Sequence, residues 1–232
     1  MGFFASSIGK KVVMAVTGLA LFGFVVAHML GNLQVYLGPE ALNAYAEGLR
    51  KYPPLLWGMR GGLLVAAVLH VWSAYGLTRM NLAARPQGYR ERANRASSYA
   101  SRTMRWSGVI LLLFVVYHLL HFTLGARSVH PRFVPGDVYH NLITGFQNPL
   151  VSAFYILAML ALGLHMYHGV WSMMQTVGLS HSRYNRWRQA FAATMTVVVV
   201  GANVSFPVAV LTGLLRESRL ERAAATAGRV TR

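Results

Sequence analysis

Ala161-Leu-Gly-Leu-His-Met-Tyr-His-Gly-Val-Trp-Ser172 is the stretch on which the fold turns. It sets His165 and His168 inside a run, Val138–Ser182, that holds no Asp, Glu, Lys or Arg. An ionisable side chain in so apolar a segment is costly and needs a partner, which makes it a functional candidate. One such histidine carries little weight. Three other uncharged runs share the feature: Val12–Pro39 holds His28, Gly61–Thr78 holds His70, and Trp106–Ala126 holds His118 and His121. A fifth run, Gln189–Leu215, has no histidine.

The 232 residues are 55% hydrophobic and only 12% charged, against about a quarter charged in soluble domains. With a mean hydropathy of +0.41, this is the composition of an integral membrane protein. The chain has no cysteine, which excludes disulfides, thiolate metal sites, cysteine-ligated iron–sulfur clusters and covalent c-type haem. The net charge of +16 would suggest nucleic-acid binding in a soluble protein. Here the basic residues lie mainly between apolar runs, so membrane topology accounts for them. The first run is long and ends in no small-x-small cleavage site, so it reads as a retained helix rather than a signal peptide.

About 20 apolar residues cross a bilayer as a helix, and only helices or closed barrels satisfy their backbone in lipid. The expected fold is therefore an all-α membrane bundle of five helices, roughly 12–34, 57–79, 105–126, 148–174 and 190–214. It forms one domain, with a polar loop over 80–104 and a polar tail over 216–232. Asn148 before Pro149 reads as an N-cap followed by proline at the first helical position. Pro207 predicts a kink. The N-terminal flank and the loops after the second and fourth spans carry twelve basic residues against one acid, Glu91. The positive-inside rule places these, and the N terminus, in the cytoplasm. Five spans then leave the basic tail outside, which pulls mildly the other way; four or six spans are the alternatives. The Arg-rich 83–101 segment reads as a solvated loop or a docking surface for a cytoplasmic partner.

At 1.5 Å per residue, His28 lies roughly 25 Å and His118 roughly 20 Å from the inner surface. His70 lies roughly 13 Å from it, and His165 falls in the inner half as well. The depths sort into two pairs on different helices: His28 with His118, outer, and His70 with His165, inner. Two imidazoles at equal depth on facing helices are what a six-coordinate b-type haem needs. Zinc fits less well, because it gathers three or four ligands at one depth. His121 and His168 follow His118 and His165 by three residues on nearly the same faces, so they are alternative ligands. Spacing alone does not choose within each doublet, although depth favours His118. His130, His140 and His181 fall between spans and read as surface residues. Trp57, Trp106 and Trp171 fit an interfacial belt.

Several motifs, in order, resemble a known family: Ala27-His28-Met-Leu-Gly-Asn-Leu33, Leu42-Asn-Ala-Tyr45, Leu69-His70-Val-Trp72, Ala84-Arg-Pro86, Tyr99-Ala-Ser-Arg-Thr-Met-Arg-Trp106, Tyr117-His-Leu-Leu-His121, Asp137-Val-Tyr-His140 and His165-Met-Tyr-His-Gly-Val-Trp-Ser172. The chain resembles the di-haem cytochrome b membrane anchor of succinate dehydrogenases and fumarate reductases, the five-helix cytochrome b558 type. The resemblance covers nearly the whole chain. It implies two haem b groups, with His28 and His118 as axial ligands of the outer and His70 and His165 of the inner. In the fourth helix the family ligand precedes a glycine by four positions, as His165 precedes Gly169.

The resemblance further implies a flavoprotein with covalent FAD and an iron–sulfur protein on the cytoplasmic side of a bacterial inner membrane. Electrons would pass from them through the inner and then the outer haem to a quinone, menaquinone above all. An acid on the outer side exchanges quinone protons in this family. Glu47, then Glu40, are the candidates, with Asp137 in the second outer loop. Arg60, Arg79, Arg102 and Arg105 are candidates for haem propionates, because guanidinium pairs well with carboxylates. Two competing readings are a di-haem cytochrome b of a hydrogenase, formate dehydrogenase or nitrate reductase, and a haem-free transporter or scaffold.

Overall fold

The computed structural model describes residues 2–84, 99–179 and 181–217. The centre of the expected 80–104 loop and nearly all of the polar tail lie outside them. Among the described residues there are no strands. Five helices are long and apolar enough to span a bilayer, as expected: Ser7–Leu37, Pro53–Ala83, Tyr99–Thr123, Pro149–Thr176 and Ser182–Leu211. We number the α-helices α1 (Ser7–Asn32, continued by a 3-10 turn to Leu37), α2 (Pro39–Arg50), α3 (Pro53–Ala83), α4 (Tyr99–His118), α5 (Val138–Phe146), α6 (Pro149–Thr176) and α7 (Ser182–Leu211).

The spanning helices reach further than the uncharged runs. A 30-residue helix such as α7 is roughly 45 Å long, whereas the hydrocarbon core is ~30 Å thick, so its first turns can carry charge at the headgroup layer. α7 accordingly starts at Ser182, not near residue 190, and Arg183, Arg186 and Arg188 lie in a helix rather than a loop. Two short helices, α2 and α5, replace what the sequence reading left as loops. Both begin at strong start signals: Pro39 opens α2, and the Asp137 carboxylate caps α5 by accepting from His140 N at 3.0 Å. As the sequence predicts, Asn148 Oδ1 caps α6, accepting from Leu150 N at 3.0 Å. α7 runs on through Pro207 to Leu211.

α3 lies along α1, α1 touches α6, and α6 is flanked by α4 and α7. α3 makes at most sparse contact with α4 and α6. One end of the bundle, here the basic end, carries Lys10, Arg79, Arg105 and the start of α7. There the Lys10 ammonium sits 3.7 Å from the Trp72 ring centre and joins α1 to α3. The opposite end is closed by α5. Ile143, Leu142, Tyr139 and Phe146 of α5 fill the main core together with Val35, Leu42, Phe114, Tyr155 and Phe206. α4 ends in a π-helical turn, Leu119–Thr123, closed by Leu124 N donating to Leu119 O at 2.8 Å. Gly125 follows at φ +57°, with the Phe133 ring packed where a side chain would stand.

Gly125→Ala should destabilise the protein by ~2 kcal/mol, because a Cβ there meets left-handed strain and forces Phe133 aside. A thermal scan in detergent should show a melting temperature several degrees lower; an unchanged one would contradict this account of the α4 terminus.

Candidate functional site: two histidine pairs between the helices

The structure joins the same residues that depth alone paired. The His28 and His118 rings lie 5.9 Å apart between centres, at 89°. The His70 and His165 rings lie 6.3 Å apart, at 58°. The first pair links α1 to α4 and the second α3 to α6, two helix pairs that make at most sparse contact otherwise. Two metal–imidazole bonds of ~2 Å, one on each side of a metal, put the ring centres roughly 6 Å apart. Both pairs meet that spacing. Thr17 bonds to His70 and lies eleven residues before His28, so the two layers are separated by roughly 15 Å along the bundle.

Side chains around the inner pair fix which nitrogen faces the partner ring. The Thr17 hydroxyl donates to Val13 O at 2.7 Å, so at 3.2 Å it accepts from His70 Nδ1–H. The Ser107 hydroxyl donates to Met104 O at 3.1 Å and likewise accepts from His165 Nδ1–H at 3.2 Å. Both imidazoles therefore keep an unprotonated Nε2, the form that ligates a metal, with the other nitrogen held by a neighbouring oxygen. Gly18 allows this approach: a Cβ there would stand 3.3 Å from His70 Cε1. In the outer pair, the Tyr155 hydroxyl lies 3.3 Å from His118 Nδ1 and 2.9 Å from His121 Nδ1, and Phe24 stacks on His28 at 5.4 Å.

The doublets resolve differently. His121 turns away from the pair; it is 1% exposed, bonded to Tyr155 and packed on Phe122, with ring centres 4.1 Å apart. His168 lies beside Trp171, 6.1 Å away, and its buried Nδ1 has no partner. Ser73 Oγ, Trp171 Nε1, Thr196 Oγ1 and two nitrogens of Arg188 are also buried without partners. All lie on the membrane helices that carry the inner pair or pack behind it. Buried polar groups are nearly always bonded, so this set fits a further, polar group held in that half of the bundle. Among the described residues no three His, Cys, Asp or Glu side chains converge as a zinc cage would require.

The remaining expected site residues are spread over the surface. Glu40 and Glu47 are exposed on α2, and Asp137 is occupied by Asn43 Nδ2 at 3.0 Å and by the α5 cap. Arg60, Arg79, Arg102 and Arg105 are all exposed, Arg60 and Arg102 lying over the Trp57 and Tyr99 rings. Among the described residues the fully buried arginine is Arg188, 2% exposed, which the sequence places among loop charges.

Of the three histidines outside the spans, His181 is exposed, as expected, whereas His140 is half-buried and His130 buried. His181 caps α7, accepting from Arg183 N at 3.2 Å. His140 pairs with Glu217 at 2.5 Å. His130 is 3% exposed: its Nδ1–H donates to His121 O at 3.2 Å, and its Nε2 lies 3.0 Å from the Thr144 hydroxyl. It lines a cavity of about 210 Å³ with His121, Arg132, Thr144 and Gly145. His130 is buried by contacts with α5, which begins eight residues further along the chain, so its immediate sequence neighbours do not mark the burial.

The family model described as succinate dehydrogenase/fumarate reductase transmembrane subunit matches residues 78–202. The chain belongs to that family. No curated protein and no solved structure matches it. The succinate dehydrogenase/fumarate reductase match begins near the end of α3 and closes within α7, so it contains His118 and His165, while His28 and His70 precede it. The chain is thus a multi-pass membrane subunit of this oxidoreductase complex.

Burial pushes the His130 imidazole below its ordinary value of 6.5, and the His140 and Arg132 charges add to the effect, outweighing the bond to His121 O. A histidine held neutral in the fold but free to protonate when unfolded costs nothing above pH 6.5 and weakens the fold progressively below it. The melting temperature should therefore fall from pH 7 to pH 5, and His130→Gln should flatten part of that fall. Equal slopes in both proteins would remove His130 as a cause.

Proposed function

We propose that the chain is the cytochrome b membrane anchor of a succinate:quinone oxidoreductase and holds two haem b groups. His28 and His118 grip the outer one, and His70 and His165 the inner. The observation that carries this reading is the ring spacing of both pairs, 5.9 and 6.3 Å, on helices that do not otherwise pack. When bound, the haems supply one-electron carriers between an iron–sulfur partner and quinone. The residues of this chain hold and tune them. Thr17 and Ser107 keep His70 and His165 in the tautomer that presents Nε2, and Tyr155 orients His118. The apolar walls of α1, α4 and α6 exclude water, which sets the potential through burial.

The basic end then faces the cytoplasm, with the N terminus, in a bacterial inner membrane. It receives the iron–sulfur protein, and through it the FAD flavoprotein that oxidises succinate. Quinone, menaquinone in this reading, is reduced at the α5 end. Glu47, with Glu40 as the alternative, is the exposed acid there that we assign to proton exchange with quinone.

The purified complex should give a reduced-minus-oxidised spectrum of b-type haem and a pyridine haemochrome count of two per chain. His70→Ala and His165→Ala should each remove the same haem, and His28→Ala and His118→Ala the other. A haem-free complex that still reduces quinone, or His121→Ala and His168→Ala behaving as ligand losses, would overturn the assignment.

A further inference from the structure

Arg188 is the least expected residue in the bundle. It sits in the second turn of α7, 2% exposed, with Nε and Nη1 unpartnered and only Nη2 satisfied, by Asn185 Oδ1 at 2.7 Å. A buried guanidinium without a counter-charge is strongly unfavourable, because it gives up its hydration for nothing. The four described acids, Glu40, Glu47, Asp137 and Glu217, all lie at the α5 end of the bundle or in the segments that cap it. None of them reaches the basic end, where α7 begins.

The neighbours of Arg188 are defined by the α6/α7 seam. Gly163 packs against Thr196 and Val200, and Val170 and Met174 cluster with Ala192, with Trp171 packed against that cluster. Arg188 lies one turn before Ala192, so it is level with the stretch from Trp171 to Met174. That stretch lies six to nine residues, roughly 9–14 Å, from His165 toward the basic end. His168 Nδ1 and Trp171 Nε1, both buried and unpartnered, stand on α6 between His165 and that level. Indole N–H and guanidinium N–H only donate, and imidazole Nδ1 donates in one tautomer. A row of unused donors with a cation at its end calls for an anionic acceptor, and a lipid headgroup does not reach a side chain buried to this degree.

We infer that Arg188, Trp171 and His168 form the carboxylate-binding end of the inner haem site and hold its propionate groups. The inference rests on the proposed function, because it requires a haem between His70 and His165. It assigns that role to a buried residue on α7, a helix that supplies no axial ligand, in place of the exposed arginines of α3 and α4.

Removing a cation beside a haem favours the more positive, oxidised form. In spectropotentiometric titration of the purified complex, Arg188→Gln should lower the reduced-to-oxidised ratio of the inner haem at fixed potential by about tenfold, about 59 mV for a one-electron couple. The outer haem should not move. Arg188→Lys, which keeps the cation, should retain most of the wild-type potential. Trp171→Phe keeps the ring packing and should give a smaller shift in the same direction; it decides the matter if Arg188→Gln does not assemble. An inner-haem potential unchanged in Arg188→Gln, or in Trp171→Phe where that variant decides, overturns the inference. A wild-type complex lacking the haem that His165→Ala should remove would instead overturn the proposed function beneath it.

Discussion

Four imidazoles set within a slab of hydrocarbon have few places to go. Each carries a donor and an acceptor, and leaving one buried group unpaired costs ~1–3 kcal/mol. α1, α3, α4 and α6 therefore lie such that His28 meets His118 and His70 meets His165. Thr17, Ser107 and Tyr155 meet Nδ1 of His70, His165 and His118. The ring centres of each pair stand 5.9 and 6.3 Å apart. This constraint explains why α3 packs chiefly on α1 and α4 on α6, although a bundle driven only by helix packing would close the space between them.

The two halves of the molecule meet their polar demands in different ways. At the α5 end, the protein satisfies itself. Tyr155 joins His118 to His121, His130 closes onto His121 and Thr144, Asn43 ties α2 to Asp137, and Asn141 bonds the backbone of Val134. Toward the basic end, the polar atoms of Ser73, His168, Trp171, Thr196 and Arg188 are buried without partners. The first end is shaped by its own loops. The second leaves donors unused, which is what the proposed haem site would take up.

Much of this was legible in the sequence because a membrane simplifies it. Charge-free runs mark the spans, and helical rise converts sequence position into depth, so His28 could be matched to His118 and His70 to His165 before any contact was known. The same simplicity hid the rest. α2 and α5 are short and lie where charges and prolines read as loop, so their caps at Pro39 and Asp137 went unused. His130 is buried by contacts with α5, which its neighbours in sequence do not announce. Arg188 looked like one more positive-inside charge because the uncharged run starts after it, while the helix starts six residues before it. Helical spacing leaves His118 and His121 nearly equivalent, with only depth favouring His118, and the π-helical turn that begins between them has no sequence mark of its own.

The central claim is that each histidine pair clasps one flat metal macrocycle, and an experimental density map of the purified complex tests it most directly. The account requires planar density bridging His28 to His118 and His70 to His165, with the imidazole nitrogens directed at its centre. Imidazoles in direct contact across each pair, with lipid or water in the gap between α3 and α4, would contradict it.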